Sequence, residues 1–208
     1  QHGLRNGRSK SLAARGNYYR RGVPGLPIHF HRLFDGQIFA VNGREWKVIT
    51  AHGHSPEHAS LYCESLNVLI SGDQILPRIT PNVSVWHIEP DGDPIRYYLD
   101  SLSKFFQLPD DVLVLPAHGR PFRGLHHRIE MLKRHHDERL DEVVVACKEP
   151  KCAAELLDVI FRRELDVHQL SFAMGEAIAH LNHLQAEGRL VRTLDADGNY
   201  RFHQHAGE

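Results

Sequence analysis

Cysteine is scarce: Cys63, Cys147 and Cys152 are all the chain holds, and no two of them form a C-x-x-C pair. An odd count at that spacing argues against a disulfide framework, so reduced, buried thiols and a cytoplasmic location are expected. No apolar run nears the roughly 18 residues of a membrane span, and no apolar core follows the first basic residues. A membrane partner is therefore not expected. Charge of one sign is also lacking, with a net value of −1 over 208 residues. The opening stretch "QHGLRNGRSKSLAARGNYYRRGVPG" has no acid but six bases, and the first residue is Gln rather than Met. A fragment or processed product is the expectation. With 41% apolar and 25% charged residues, the chain has enough material for one fair-sized core or two small ones.

What the chain has in excess is histidine, 17 residues in all, so spacing and partners must separate chemistry from coincidence. From Asp35 the pattern is β-like. "GQIFAVNGREWKVITA" reads as two strands joined by Asn42-Gly43, a strong hairpin signal. "HASLYC" and "NVLISGD" read as two more, with a tight connection at Glu64-Ser65-Leu66. "PIRYYLDSLSKFFQL" has helical spacing behind an Asp93 N-cap and Pro94, and "DDVLVLPAHG" reads as a short buried strand. Strand, helix, strand in this order predicts an α/β layered sandwich. From about Leu125 three helices are expected, over "HHRIEMLKRHHDERLDEVVVAC", "KCAAELLDVIFRREL" and "VHQLSFAMGEAIAHLNHLQAEG", then a hairpin around Asp197-Gly198. That pattern describes a winged helix, and the expected division is 1–124 and 125–208.

Three residues share a setting. His54, Asp73 and His118 each fall at or beside a strand end, each next to a Gly, and each suits a borderline divalent metal. Taken alone they read as ordinary capping and loop hydrogen bonding.

In context they resemble a known family. "TAHGHSPEH" is similar to the T-x-G-H-[ST]-x-x-H stretch of metallo-β-lactamase-fold hydrolases of the glyoxalase II type, "ISGDQIL" to their bridging-Asp strand end, and "LPAHGRPF" to their last metal-binding loop. The resemblance runs from about Asp35 to Phe122. It implies that His54, Asp73 and His118 are metal ligands, that Asp73 bridges two ions and is catalytic, and that the metal is zinc. It further implies the second half of an αβ/βα sandwich, followed by a winged-helix extension, in a hydrolase of esters or thioesters with a small-molecule substrate. The family's H-x-H-x-D-H motif is missing: "HFHRLF" lacks the Asp-His and precedes a hairpin, so His29 and His31 are not assigned. Two protein ligands per ion fall short of the three that a catalytic zinc normally has. The chain alone is expected to be inactive.

Around this centre, His52 and His58 are expected to support the loop rather than ligate, and Arg78 is a candidate for holding a substrate anion, with an ordinary surface role the plainer reading. Trp86 and His87 could line the cleft, or Trp86 could belong to the core. The pairs His126-His127 and His135-His136 read as a solvated helix face. Ser55 lacks a G-x-S-x-G elbow. A metal-dependent nuclease is the alternative enzyme. Against it, residues 128–208 carry 11 bases and 15 acids, and 167–187 has no Lys or Arg. Nucleic acid is accordingly not expected as a partner. The other alternative is a non-catalytic protein-interaction module. An uncovered half-domain would self-associate, so a homodimer or larger assembly is expected.

Overall fold

A computed structural model describes residues 1–4, 7–14, 23, 25–161 and 163–205. Much of the basic opening stretch lies outside them, and so does Arg162. A short helix α1 (Arg8–Ala14) is followed by β1 (Ile38–Val41) and β2 (Arg44–Ala51). These two strands turn on Asn42 and Gly43, which have φ of 51° and 73°, the doubly left-handed pair that a two-residue hairpin requires. β3 (His58–Cys63) and β4 (Val68–Gly72) follow, linked by a 3-10 turn over Glu64–Leu66 that ends on Asn67 in the left-handed region.

The chain then crosses to α2 (Pro94–Leu102) and returns as β5 (Leu113–Pro116). Asp93 caps α2 by accepting the Arg96 backbone N–H, and Pro94 begins it. The sheet order is β1-β2-β3-β4-β5, antiparallel except for the parallel β4–β5 pair that the helical crossover makes possible. One face, carrying Ile49, Leu69 and Val114, is buried with Tyr98 and Leu102 of α2 in the core. On the other face Ile70, paired with Leu61 and Leu115, keeps 38% exposure.

Beyond the sheet run α3 (Leu125–Ala146), a 3-10 turn at Ala153–Leu156, the single-turn α4 (Leu157–Ile160) and α5 (Val167–Ala186). Asp166 and Gln169 close a capping box on α5. The hairpin β6 (Leu190–Leu194) and β7 (Tyr200–Gln204) follows as expected. The helix expected over 151–165 is much shorter, because Phe161 is already extended. Val159, Ile160 and Phe161 are β-branched or aromatic and lose rotamer freedom in a helix, while burying Leu156, Leu157 and Ile160 needs only one turn.

The core is continuous across both halves of the chain. Ile49 and Val114 belong to the same buried cluster as Leu132, Leu181 and Phe202. Residues 1–4 also lie on the C-terminal half: the Tyr200 N–H donates to the Gln1 carbonyl, and the Ala154 N–H to that of His2. The three thiols are free and buried.

One sequence expectation on α3 fails. His136 is only 2% exposed, against Tyr98 and His180, so the solvated-face reading does not hold for it. His136 lies four residues from both Leu132 and Leu140, on the buried stripe of the helix.

Candidate metal centre

Each residue of the centre is placed by the end of a strand. β2 stops at Ala51, and the loop 52–57 is pressed directly on α2: the His52 N–H donates to Ser101 Oγ at 2.9 Å, and Gln74 Nε2 donates to the His52 carbonyl. Gly53 makes this approach feasible. Its φ is +105°, and a Cβ there would lie 2.7 Å from the Tyr98 Cα, so a side chain is excluded on both counts. His54 follows.

Asp73 is aimed in a similar way by the end of β4. Gly72 has φ +55°, and a Cβ on it would meet the His58 ring at 2.7 Å. The Asp73 N–H donates to His58 Nε2 at 3.2 Å. His58 thus accepts the backbone N–H of Asp73. Burial, and then the neighbouring His54, hold its pKa below the ordinary imidazole value. A neutral ring that accepts at Nε2 carries its proton on Nδ1.

The two remaining histidines reach the two oxygens of Asp73. His54 Nε2 is 3.7 Å from Oδ2, and His118 Nε2 is 3.3 Å from Oδ1. The other His54 nitrogen, Nδ1, is 2.9 Å from the Asn82 carbonyl oxygen. A carbonyl can only accept, so Nδ1 carries a proton, and whenever the ring is neutral its lone pair lies at Nε2. That lone pair faces a carboxylate oxygen across a gap too long for a hydrogen bond. An imidazole nitrogen set opposite a carboxylate oxygen is a donor set of the kind that fits a divalent metal. Among the described residues no three His, Cys, Asp or Glu converge on a single point. His54 and His118 instead stand one on each oxygen of Asp73. The sides of Asp73 and His54 are about one-third exposed, that of His118 two-thirds, so the centre opens to solvent.

Of the other candidates, His52 accepts the Glu57 N–H at Nδ1 and lines a cavity beside His54 together with Trp86. Trp86 is 53% exposed, which removes it from the core. His87 is exposed and is not among the cavity's lining residues. Arg78 does not join the centre. It is exposed and lines a separate hollow with Arg128 and His135. The buried Arg128 guanidinium explains why: it donates to the carbonyls of Leu76 and Ile79 and pins the chain on either side of Arg78 to α3.

The residues that sequence reasoning missed lie between Asn82 and Asp93. Asn82 Nδ2 donates to Glu176 Oε2 on α5, the Ser84 hydroxyl donates to Asn82 Oδ1, and the Val85 N–H donates to the Gly175 carbonyl. Asn182 Nδ2 reaches the carbonyls of both Pro90 and Gly92, while His183 Nδ1 lies 3.0 Å from Asp93. α5 therefore holds the whole loop whose Asn82 carbonyl orients His54. Burial raises the Glu176 carboxyl to about 7. The available signal was weak: polar residues in the otherwise apolar helix 167–187.

Comparisons with known proteins agree with this architecture. The metallo-beta-lactamase superfamily profile matches residues 4–118, and that of the metallo-beta-lactamase-like C-terminal domain matches residues 140–205. The crystal structure of a beta-lactamase domain protein from Burkholderia ambifaria superposes with a TM-score of 0.92 at 48% identity, over 98% of this chain and 59% of that one. Similar curated proteins include a probable metallo-hydrolase of Bacillus subtilis, 28% identical over 77% of this chain and 51% of that protein. Another is an atrochrysone carboxyl ACP thioesterase of Paecilomyces divaricatus, 25% identical over 87% of this chain and 55% of that protein. The chain thus spans about half the length of these curated relatives. With the superfamily profile covering more than half of its residues and the fold shared at 48% identity, the chain belongs to the metallo-beta-lactamase superfamily.

Proposed function

We propose that these residues form part of the catalytic centre of a metal-dependent hydrolase acting on an ester or thioester. The observation that carries the reading is the pair of imidazoles set on the two oxygens of Asp73, one of them with its tautomer fixed by the Asn82 carbonyl. His54 and Asp73 would hold one ion, Asp73 and His118 the other. A divalent ion bound there supplies a polarised carbonyl oxygen and an acidified water. The chain's own part is orientation. His58 fixes the backbone of Asp73, Asn82 fixes the ring of His54, and Gly53 and Gly72 allow both to sit at the sheet end. The names of the similar proteins, a probable metallo-hydrolase and a carboxyl ACP thioesterase, support the reaction class.

Residues 125–208 are proposed as a C-terminal, winged-helix-like unit that shapes the substrate cleft; the hydrogen bonds from α5 to the loop 82–93 support this. A nuclease is disfavoured, because residues 128–208 have more acids than bases and a phosphate backbone calls for basic contacts.

The test is titration of the metal-free protein with Co(II), read by visible absorption, followed by Zn(II) competition. Binding should fall about tenfold or more in Asp73→Asn and in His118→Ala. With two protein ligands per ion, the chain by itself should hydrolyse a model thioester only marginally. Metal binding indifferent to both substitutions would overturn the assignment.

A further inference from the structure

We infer that the cavity beside His54 seats an uncharged, apolar acyl or aryl group of the substrate. The inference rests on the hydrolase reading for its reaction and on a separate set of residues for its chemistry. The cavity measures about 430 Å³, within the range of small-molecule sites. Its walls are mostly apolar: Pro56, Val85, Trp86, Ile88, Pro94 and Tyr97. His54 is part of the same wall, so a group resting there leaves its carbonyl beside the Asp73 centre.

Two features make this a formed site rather than a chance hollow. Trp86 and Ile88 are large apolar residues at 53% and 84% exposure, and both belong to the cavity wall. Their loop is nonetheless fixed. The Trp86 ring meets Phe172 of α5 edge-on at 6.4 Å and 87°, Val85 is bonded to Gly175, and Asn182 holds the Pro90 and Gly92 carbonyls. An apolar surface kept open by a hydrogen-bonded frame is arranged to take up a ligand, because a free loop would fold such side chains against the protein.

Charge then narrows the ligand. Among the described residues neither Lys nor Arg lines the cavity, and the acidic Glu89 is part of its wall. A dicarboxylic acyl chain or a phosphorylated group would meet Glu89 and find no Lys or Arg among the described lining residues. A neutral hydrocarbon or aromatic acyl group meets neither obstacle.

Trp46 and Trp86 are the only tryptophans in the chain, so Trp46→Phe isolates the indole of the cavity. The experiment titrates this metal-free variant with 2-decanone, a ketone that cannot be hydrolysed, and with 9-oxodecanoate, the same chain ending in a carboxylate. Trp86 emission should change saturably with 2-decanone, and 9-oxodecanoate should bind at least tenfold more weakly. Ile88→Glu, on a side chain too exposed to affect folding, should weaken 2-decanone at least fivefold without lowering the unfolding temperature. Ile88→Lys should narrow the gap between the two ligands. Equal binding of the two, no saturable binding, or indifference to both Ile88 substitutions would overturn the inference. Because neither metal nor turnover is involved, these results separate a wrong cavity from a wrong reaction. Intact Co(II) binding with no ketone binding rejects the cavity alone, and ketone binding with no Asp73-dependent metal rejects the hydrolase alone.

Discussion

Glu176 and Asn82 are 94 positions apart in sequence, and the Asn82 amide donates to the Glu176 carboxyl at 3.1 Å. Asn82 in turn accepts the Nδ1 proton of His54 on its backbone carbonyl. α5 is thereby two hydrogen bonds from the ring of His54.

Removing this support should act on the metal before it acts on the fold. Glu176→Ala leaves the Asn82 amide without its acceptor, costing about 1–3 kcal/mol, and frees the carbonyl that orients His54. Co(II) affinity should drop about tenfold, as when other outer partners of a ligating histidine are lost. Glu176→Gln, which keeps an acceptor oxygen, should stay near the parent value. An equal loss in both variants would mean that charge, not the hydrogen bond, is what counts.

The same carboxyl and the buried histidines pull the pH dependence of stability in opposite directions. Burial lowers His136 to about 3 and His180 to about 4, with neighbouring histidines adding to the effect on His136. A base with a depressed folded pKa binds more protons when unfolded, so its contribution is complete above the ordinary value near 6.5 and is lost as pH falls toward 4 and 3. Glu176, raised to about 7, does the reverse: its contribution is complete below about 4.5 and is lost as pH rises to about 7. Among the described residues neither ring nitrogen of His136 has a hydrogen-bond partner. His136→Leu should therefore hold stability at pH 8 and lessen the loss between pH 6.5 and 4, as read by urea unfolding across that range. Glu176→Gln should flatten the decline between pH 4.5 and 7. An unchanged acid limb in His136→Leu would show that other groups set it.

These residues also mark where the sequence could be read and where it could not. Asn42-Gly43 and Asp93-Pro94 specify a turn and a helix start by local backbone chemistry, so the sheet and its crossover were visible in the order of motifs. His54, Asp73 and His118 were singled out only through the family resemblance of the motifs around them, and the fold brings the strand ends that carry them together. Arg78 shows the limit of closeness in sequence. It lies five residues from Asp73 and still points elsewhere, because Arg128 pins its flanks. Asn82, Glu176 and Asn182 were invisible because their partners are about 90 residues away, and no periodicity encodes a pairing at that distance.

Gly53 should tolerate no side chain. Its positive φ alone costs a non-glycine residue about 1–2 kcal/mol, and the Cβ would overlap Tyr98 and the Pro94 carbonyl. Gly53→Ala is expected to lose at least about 2 kcal/mol in urea unfolding once the overlap is added. It should also shift the His54 Nδ1–H resonance of the metal-free protein by disturbing the Asn82 bond. A neutral substitution would mean that the loop does not rest on α2 as described.

The frame of the cavity gives the last test. Asn182 is 7% exposed, and its amide donates to two loop carbonyls at 3.0 Å each. Asn182→Ala strands both, for a loss of about 1–3 kcal/mol. Asp91, between those carbonyls in sequence, is 73% exposed where it pairs with Arg192, and an exposed pair of this kind contributes about 0–1 kcal/mol. Asp91→Ala should therefore leave hydrogen exchange over 86–93 almost unchanged, whereas Asn182→Ala should speed it and weaken 2-decanone binding in parallel. Faster exchange without weaker binding would show that the loop's order is not what keeps the apolar wall in place.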